Sequence, residues 1–251
     1  METLIALLSE DFLYKFLLLF ARILAFVVFM PVFGHKSIPM KVRLSLALFF
    51  SVFLYSFVGF DTQSITKNDV FLLSLLSELS LGFFAAFLFN IIFSAVRIIG
   101  DFISYATALS MATMFDPASG SNDGVVSRFL YLISLALFFE TSMYEMTIVM
   151  MVKSFSMVTL GAFDVFSFDG IEFAMLEINR MFAFAFSFAL PLFFISFIMD
   201  IYYGYGTKAM PAFSPFVITF QLKFALIFIF MLLGFDIFAQ NFIDYFTNKF
   251  T

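Results

Sequence analysis

Apolar positions in this chain do not alternate with polar ones; they run. Six stretches qualify, or nearly so, for the ~20 apolar residues that cross a ~30 Å hydrocarbon core. They are Phe12–Phe33, Leu44–Phe60, Val70–Ile99, Val125–Val152, Met181–Tyr203 and Phe216–Phe238. A weaker segment, Ile98–Phe115, follows the third. Runs without a two-residue period exclude a transmembrane barrel. In lipid every backbone group must find an internal partner, so the runs predict helices. The expected fold is all-α and membrane-embedded, a single integral-membrane domain over residues 1–251. About six long helices, several bent or broken, form helical hairpins.

The polar breaks are short. Gly34–Arg43 holds Lys36, Lys41, Arg43 and the only histidine, His35. Cytoplasmic loops gather Lys and Arg, which places this break inside and both termini outside. Asp116–Gly124 reads as a tight loop built on Pro117 and two glycines. Lys153–Arg180 is longer and mixed and suggests an interfacial helix. Gly204–Pro215 is a Gly/Pro loop expected to end the fifth helix. Pro31, Pro39, Pro191 and Pro211, with Gly82, Gly100, Gly161 and Gly234, imply bends or breaks.

Composition sharpens this picture. Hydrophobic residues make up 63% of the chain and charged residues 12%, about half the usual soluble share of ~25%. The outer face must therefore meet lipid or other protein. With Cys absent, disulfides, thiolate metal sites and thiol nucleophiles are excluded. Net charge is −5, thinly spread, and no basic patch suggests nucleic acid. The first bases follow Glu2, Glu10 and Asp11, unlike a cleavable signal peptide, so the first run is expected to stay in the protein.

Candidate chemistry is sparse. No HExxH, G-x-S-x-G or phosphate loop is present, and one histidine cannot build a triad or metal cage. An enzyme is the weakest reading, and no cofactor is expected. The Gly-Tyr-Gly at 204–206 evokes a potassium filter, but a full-length apolar run precedes it, and helix-ending glycines explain it better. Ionisable residues within apolar runs are site hypotheses by default. They are Lys15, Arg22, Glu78, Arg97, Asp101, Arg128, Glu140, Glu145, Asp200, Lys223 and Asp236. Glu78 is the sharpest, with Gly82 one turn later. It reads as a buried structural pair, or as the proton or ion site of a small-solute transporter that also uses Arg97. Ser104, Thr107, Ser110, Thr113 and Asp116 recur every three residues, either as a wetter face turned to a conduit or as ordinary helix packing.

Taken in order, these residues resemble the flagellar biosynthesis protein FliR family, with its type III secretion counterparts. The resemblance rests on Pro31, Gly34, Pro39 and Lys41 or Arg43 after the first run; on Glu78 and Gly82, then Gly100; and on Asp116, Pro117 and Gly120. Ala189 and Pro191 follow, then Lys208 and Pro211, with Ala212 and Ser214 where the family carries Gln and Asn, and finally Leu222 and Lys223. The resemblance implies a non-catalytic subunit of an export gate in the bacterial inner membrane, at the flagellar basal body. Its implied partners are FliP-like and FliQ-like subunits, an FlhB-like subunit, and unfolded proteins in transit. Apolar helices would then be largely buried against partners. The family's plug maps to about Tyr105–Asn122, so Met111, Met114, Phe115, Asp116, Pro117 and Gly120 become candidate pore residues. Pro31, Gly34, Pro39, Glu78, Gly82, Gly100, Lys208 and Pro211 become structural or partner-contact candidates.

Overall fold

The computed structural model describes residues 10–33, 38–57, 68–107, 109, 124–164, 169–209 and 216–250. Among them are eight helices and no strand: α1 Glu10–Phe29, α2 Met40–Tyr55, α3 Asn68–Ala106, α4 Val125–Glu140, α5 Met143–Met157, α6 Gly170–Ala209, α7 Phe216–Leu233 and α8 Phe235–Phe250. This is an all-α, membrane-type fold. Three helices, α1, α3 and α6, are long and apolar enough to cross a membrane. The count reaches five if the joined pairs α4/α5 and α7/α8 each make one span. These five coincide with five of the six apolar runs. The second run forms α2, whose 16 residues reach only ~24 Å at 1.5 Å per residue.

Several expected punctuation marks behave otherwise. Helix α3 passes unbroken through Gly82 and Gly100, and α6 through Pro191. The fifth helix does not end at the Gly/Pro tract: α6 continues through Gly204 and Gly206 to Ala209. A helical glycine costs only ~1 kcal/mol against alanine, and neither glycine has a neighbour within 4 Å to force a turn. Lys153–Arg180 is not one interfacial helix: it holds the end of α5, non-helical residues 158–164, and the start of α6. The fourth run, read as continuous, breaks at Thr141–Ser142. There Ser142 takes a positive φ of 57° and the Thr141 amide and hydroxyl both donate to the Leu137 carbonyl. Gly234 does mark a break, with a 54° bend between α7 and α8.

The chain packs as two compact units, each discontinuous in sequence: Met1–Ile91 with Tyr144–Met175, and Ile92–Met143 with Leu176–Thr251. In the first, α1 is the buried element. Leu18, Leu19 and Ile23 are fully enclosed, α2 lies alongside α1, and Phe26 meets Phe89 edge-on at 5.6 Å. In the second, Phe93 gathers Tyr131, Phe138 and Phe242 in edge-to-face contacts of 5.6–6.1 Å. Such aromatic pairs add to plain area burial. Helix α8 supplies Phe238, Phe242 and Phe246, all buried. Their i, i+4 spacing makes one apolar stripe, while Gln240 and Asp244 lie off it. This amphipathic extension beyond Phe238 went unpredicted.

Candidate functional site

The most elaborate polar construction lies inside the first unit, around Glu78. Its carboxylate is fully buried and accepts from Arg22 twice: Nε donates to Oε2, and Nη2 to Oε1 at 3.0 Å. A third donor, the Gly161 amide, reaches Oε1 at 2.7 Å. Arg22 is equally engaged. Nη1 donates to the Ser154 carbonyl and Nη2 to the Val158 carbonyl, both at 3.0 Å, and the guanidinium stacks on Phe155 at 4.4 Å. Both carbonyls lie at the end of α5: Ser154 also keeps its bond from the Val158 amide at 3.0 Å, while Val158 lies just past the last helical residue, where acceptors run out of helical partners. Arg22 therefore caps α5 with a cation, the sign the helix dipole favours there.

The link after α5 is docked by the same face of α3. Ser74, Ser77 and Glu78 share that face at i, i+3, i+4 spacing. Ser77 Oγ donates to the Phe163 carbonyl at 2.6 Å. Gly161 takes φ +77°, a conformation that suits glycine, and sits against Ser74. One turn beyond Glu78, Gly82 lets α3 approach α1 closely, since a Cβ there would overlap the Arg22 carbonyl oxygen. The Glu-x-x-x-Gly element thus holds one residue twice, side chain by Glu78 and backbone by Gly82. Asn90 adds a bond from Nδ2 to the Phe29 carbonyl.

The second unit repeats the close glycine contact, with a serine hydroxyl in place of the guanidinium. Gly100 packs on Ser127 so closely that a Cβ would collide with its Cα. Ser127 Oγ lies 2.6 Å from the Arg97 carbonyl and 2.7 Å from Asp101 Oδ1. Gly124 meets Ser104. The Ser196 hydroxyl, from α6, donates to the carbonyl of Ala106, the last residue of α3. The two ends that flank residues 108–123 are therefore fixed to each other. Ser104 and Thr107 are buried, and each hydroxyl donates to a carbonyl of α3 one turn back. Ser110, Thr113 and Asp116 lie outside the described residues.

The same holds for every pore candidate: Met111, Met114, Phe115, Asp116, Pro117 and Gly120 lie outside the described residues, as do Gly34 and Pro211. Pro31 is buried just past α1, Pro39 is the N-cap residue of α2, and Lys208 is exposed in the last turn of α6. Arg97 stands over Tyr131 at 4.9 Å. Lys223 meets Asp200 at 2.8 Å. The sequence reading missed Glu177, 3% exposed and paired with Arg180 at 3.0 Å, because it falls in the mixed stretch before the fifth run. Its place three residues from Arg180 was the available signal.

An all-helical membrane protein held together by buried polar clamps is the class this geometry defines. A profile of the bacterial export proteins, family 1, matches residues 13–249, and the chain belongs to that family. It is similar to the flagellar biosynthetic protein FliR of Bacillus subtilis, 27% identical over 88% of this chain and 86% of that protein. FliR of Aquifex aeolicus is 26% identical over 96% and 93%, and FliR of Escherichia coli 27% over 80% and 76%.

Proposed function

We propose that this protein is a non-catalytic subunit of the flagellar export gate, forming part of a channel for unfolded proteins across the bacterial inner membrane at the basal body. The observation that carries this reading is the family match along nearly the whole chain, joined by relatives that bear the name FliR. The Glu78 cluster supports a scaffold rather than a transported-ion site. The carboxylate is enclosed and shared between Arg22 and Gly161. Broad apolar exposure supports obligate assembly: Phe49, Leu72, Leu73, Phe194, Leu232 and Leu233 are each more than half exposed, and large apolar patches mark partner or lipid contact. The proposed partners are FliP-like, FliQ-like and FlhB-like subunits. The candidate plug residues, Met111 to Gly120, fall in the sequence between the two ends joined by Gly100–Ser127 and Ser104–Gly124. The test is co-expression with FliP-like and FliQ-like subunits and extraction in detergent. Co-purification as one complex is expected; a stable monomer that ignores both would overturn the reading.

A further inference from the structure

Within the second unit the outward surface changes character at Gly234. Before it, the outer face of α7 is apolar: Ile229, Phe230, Leu232 and Leu233 are all exposed. After the 54° bend, the outer face of α8 is polar. Asp236, Gln240, Asp244 and Asn248 recur at every fourth residue and so share one helix face. All four are exposed, as is Asn241 beside them. None of these five side chains has a hydrogen bond or ion pair with another described residue.

The opposite face of α8 is already occupied. Phe238, Phe242 and Phe246 are at most 1% exposed. They meet Phe188, Phe93 and Phe138 at 5.2, 6.1 and 5.8 Å. An amphipathic helix that lies in a membrane interface turns its apolar face to the acyl chains. Here that face is turned to the protein. Apart from Ile237 next to the bend, the polar stripe is what meets the surroundings.

Those surroundings are lipid, the apolar surface of a partner, or water. Aspartate is among the costliest residues to place in hydrocarbon. A carboxylate or amide pressed against apolar protein without a hydrogen-bond partner is costly for the same reason. The stripe sets two aspartates and three amides along roughly 18 Å of helix, at 1.5 Å per residue. Of the three media, only water hydrogen-bonds to all of them.

We propose that α8 is a water-facing helix rather than the second half of a membrane span, and that the bend at Gly234 marks the passage from apolar to aqueous surroundings. The whole stripe then lies on one side of the membrane. The proposal does not depend on the export reading and needs only the membrane-type fold.

The chain has no cysteine, so single substitutions report cleanly. Asp236→Cys, Gln240→Cys, Asp244→Cys and Asn248→Cys sample the stripe. Ile229→Cys samples the exposed apolar face of α7, and Ala185→Cys a fully buried position in α6. Each full-length variant, in cell membranes, is treated with a charged, membrane-impermeant maleimide. Spheroplasts present one side and inverted vesicles the other. All four stripe variants should react from the same side. They should react at least ~10-fold faster than Ile229→Cys or Ala185→Cys, because apolar surroundings raise a thiol's pKa and each unit removes about tenfold of the reactive thiolate. Reaction at Asn248→Cys alone is the pattern of a span and would overturn the proposal. So would stripe variants that stay unreactive from both sides until detergent is added, since lipid or a partner would then cover them. Reaction of Ile229→Cys as fast as the stripe would overturn the change of surroundings at Gly234.

Discussion

The backbone carbonyl of Arg22 rests against Gly82, one turn beyond the carboxylate that holds the same arginine's side chain. Two adjacent turns of α3 thereby fix both the distance and the rotation of α1. The glycine sets the approach, and the ion pair sets the register.

Gly82→Ala forces α1 and α3 apart, and overpacking of this kind costs about 1–3 kcal/mol. Gly204→Ala and Gly206→Ala meet no neighbour and replace glycine in a helix interior, so each should stabilise by roughly 0.5–1 kcal/mol. Thermal unfolding in detergent, followed by circular dichroism, should give opposite signs for the two classes. The same sign in both would show that local packing does not govern these glycines.

Removing one member of the buried pair strands the other. Arg22→Met or Glu78→Leu should each cost about 3–5 kcal/mol, whereas the double substitution, which leaves no buried charge, should recover much of the loss. The readout is protein level and unfolding midpoint in membranes from the four strains of the cycle. Additive losses would contradict the pairing. Glu78→Gln keeps an acceptor for the Gly161 amide and should retain more assembly and export than Glu78→Leu. Equal loss in both would point to proton chemistry.

Ser127→Ala removes the hydroxyl that meets Asp101 and the Arg97 carbonyl, worth about 1 kcal/mol. Ser127→Val keeps that loss and adds bulk beside Gly100, so it should destabilise further. Unfolding midpoints that rank Ser127, Ala, Val in falling order would agree; an unchanged alanine variant would show that the contact is steric only.

The plug assignment makes a prediction about conductance. Deleting residues 112–121, or Met114→Asp, should make the reconstituted complex leak small ions at rest, because an apolar constriction excludes ions by dewetting. Conductance is compared at matched assembly levels. Unchanged resting conductance with reduced assembly would assign these residues to packing.

The long apolar runs made the fold class legible, because hydropathy reports directly on a lipid-facing backbone. Glu78 and Gly82 also stood out locally, as a charge in an apolar run and a glycine one turn on. Their partner did not: Arg22 lies 56 residues away, and neither spacing nor periodicity links it to Glu78 rather than to water. Glycine misled where no contact enforces a turn, as at Gly204 and Gly206. Conversely, the break at Ser142 carries no glycine and arises from a positive φ that its residue type does not announce. Glu177 was hidden by polar neighbours that are themselves exposed.

The interleaving of the two units has a consequence for synthesis. Glu78 and Gly161 are separated by 83 residues, and the intervening chain includes all of α4, which belongs to the other unit. At ~5–20 residues per second, a ribosome needs roughly 4–17 s to supply the amide that completes the Glu78 cluster. For most of that interval the backbone acceptors of Arg22, at Ser154 and Val158, do not yet exist. The first unit therefore cannot complete its buried cluster until Gly161, about two-thirds of the way along the 251 residues, has been made.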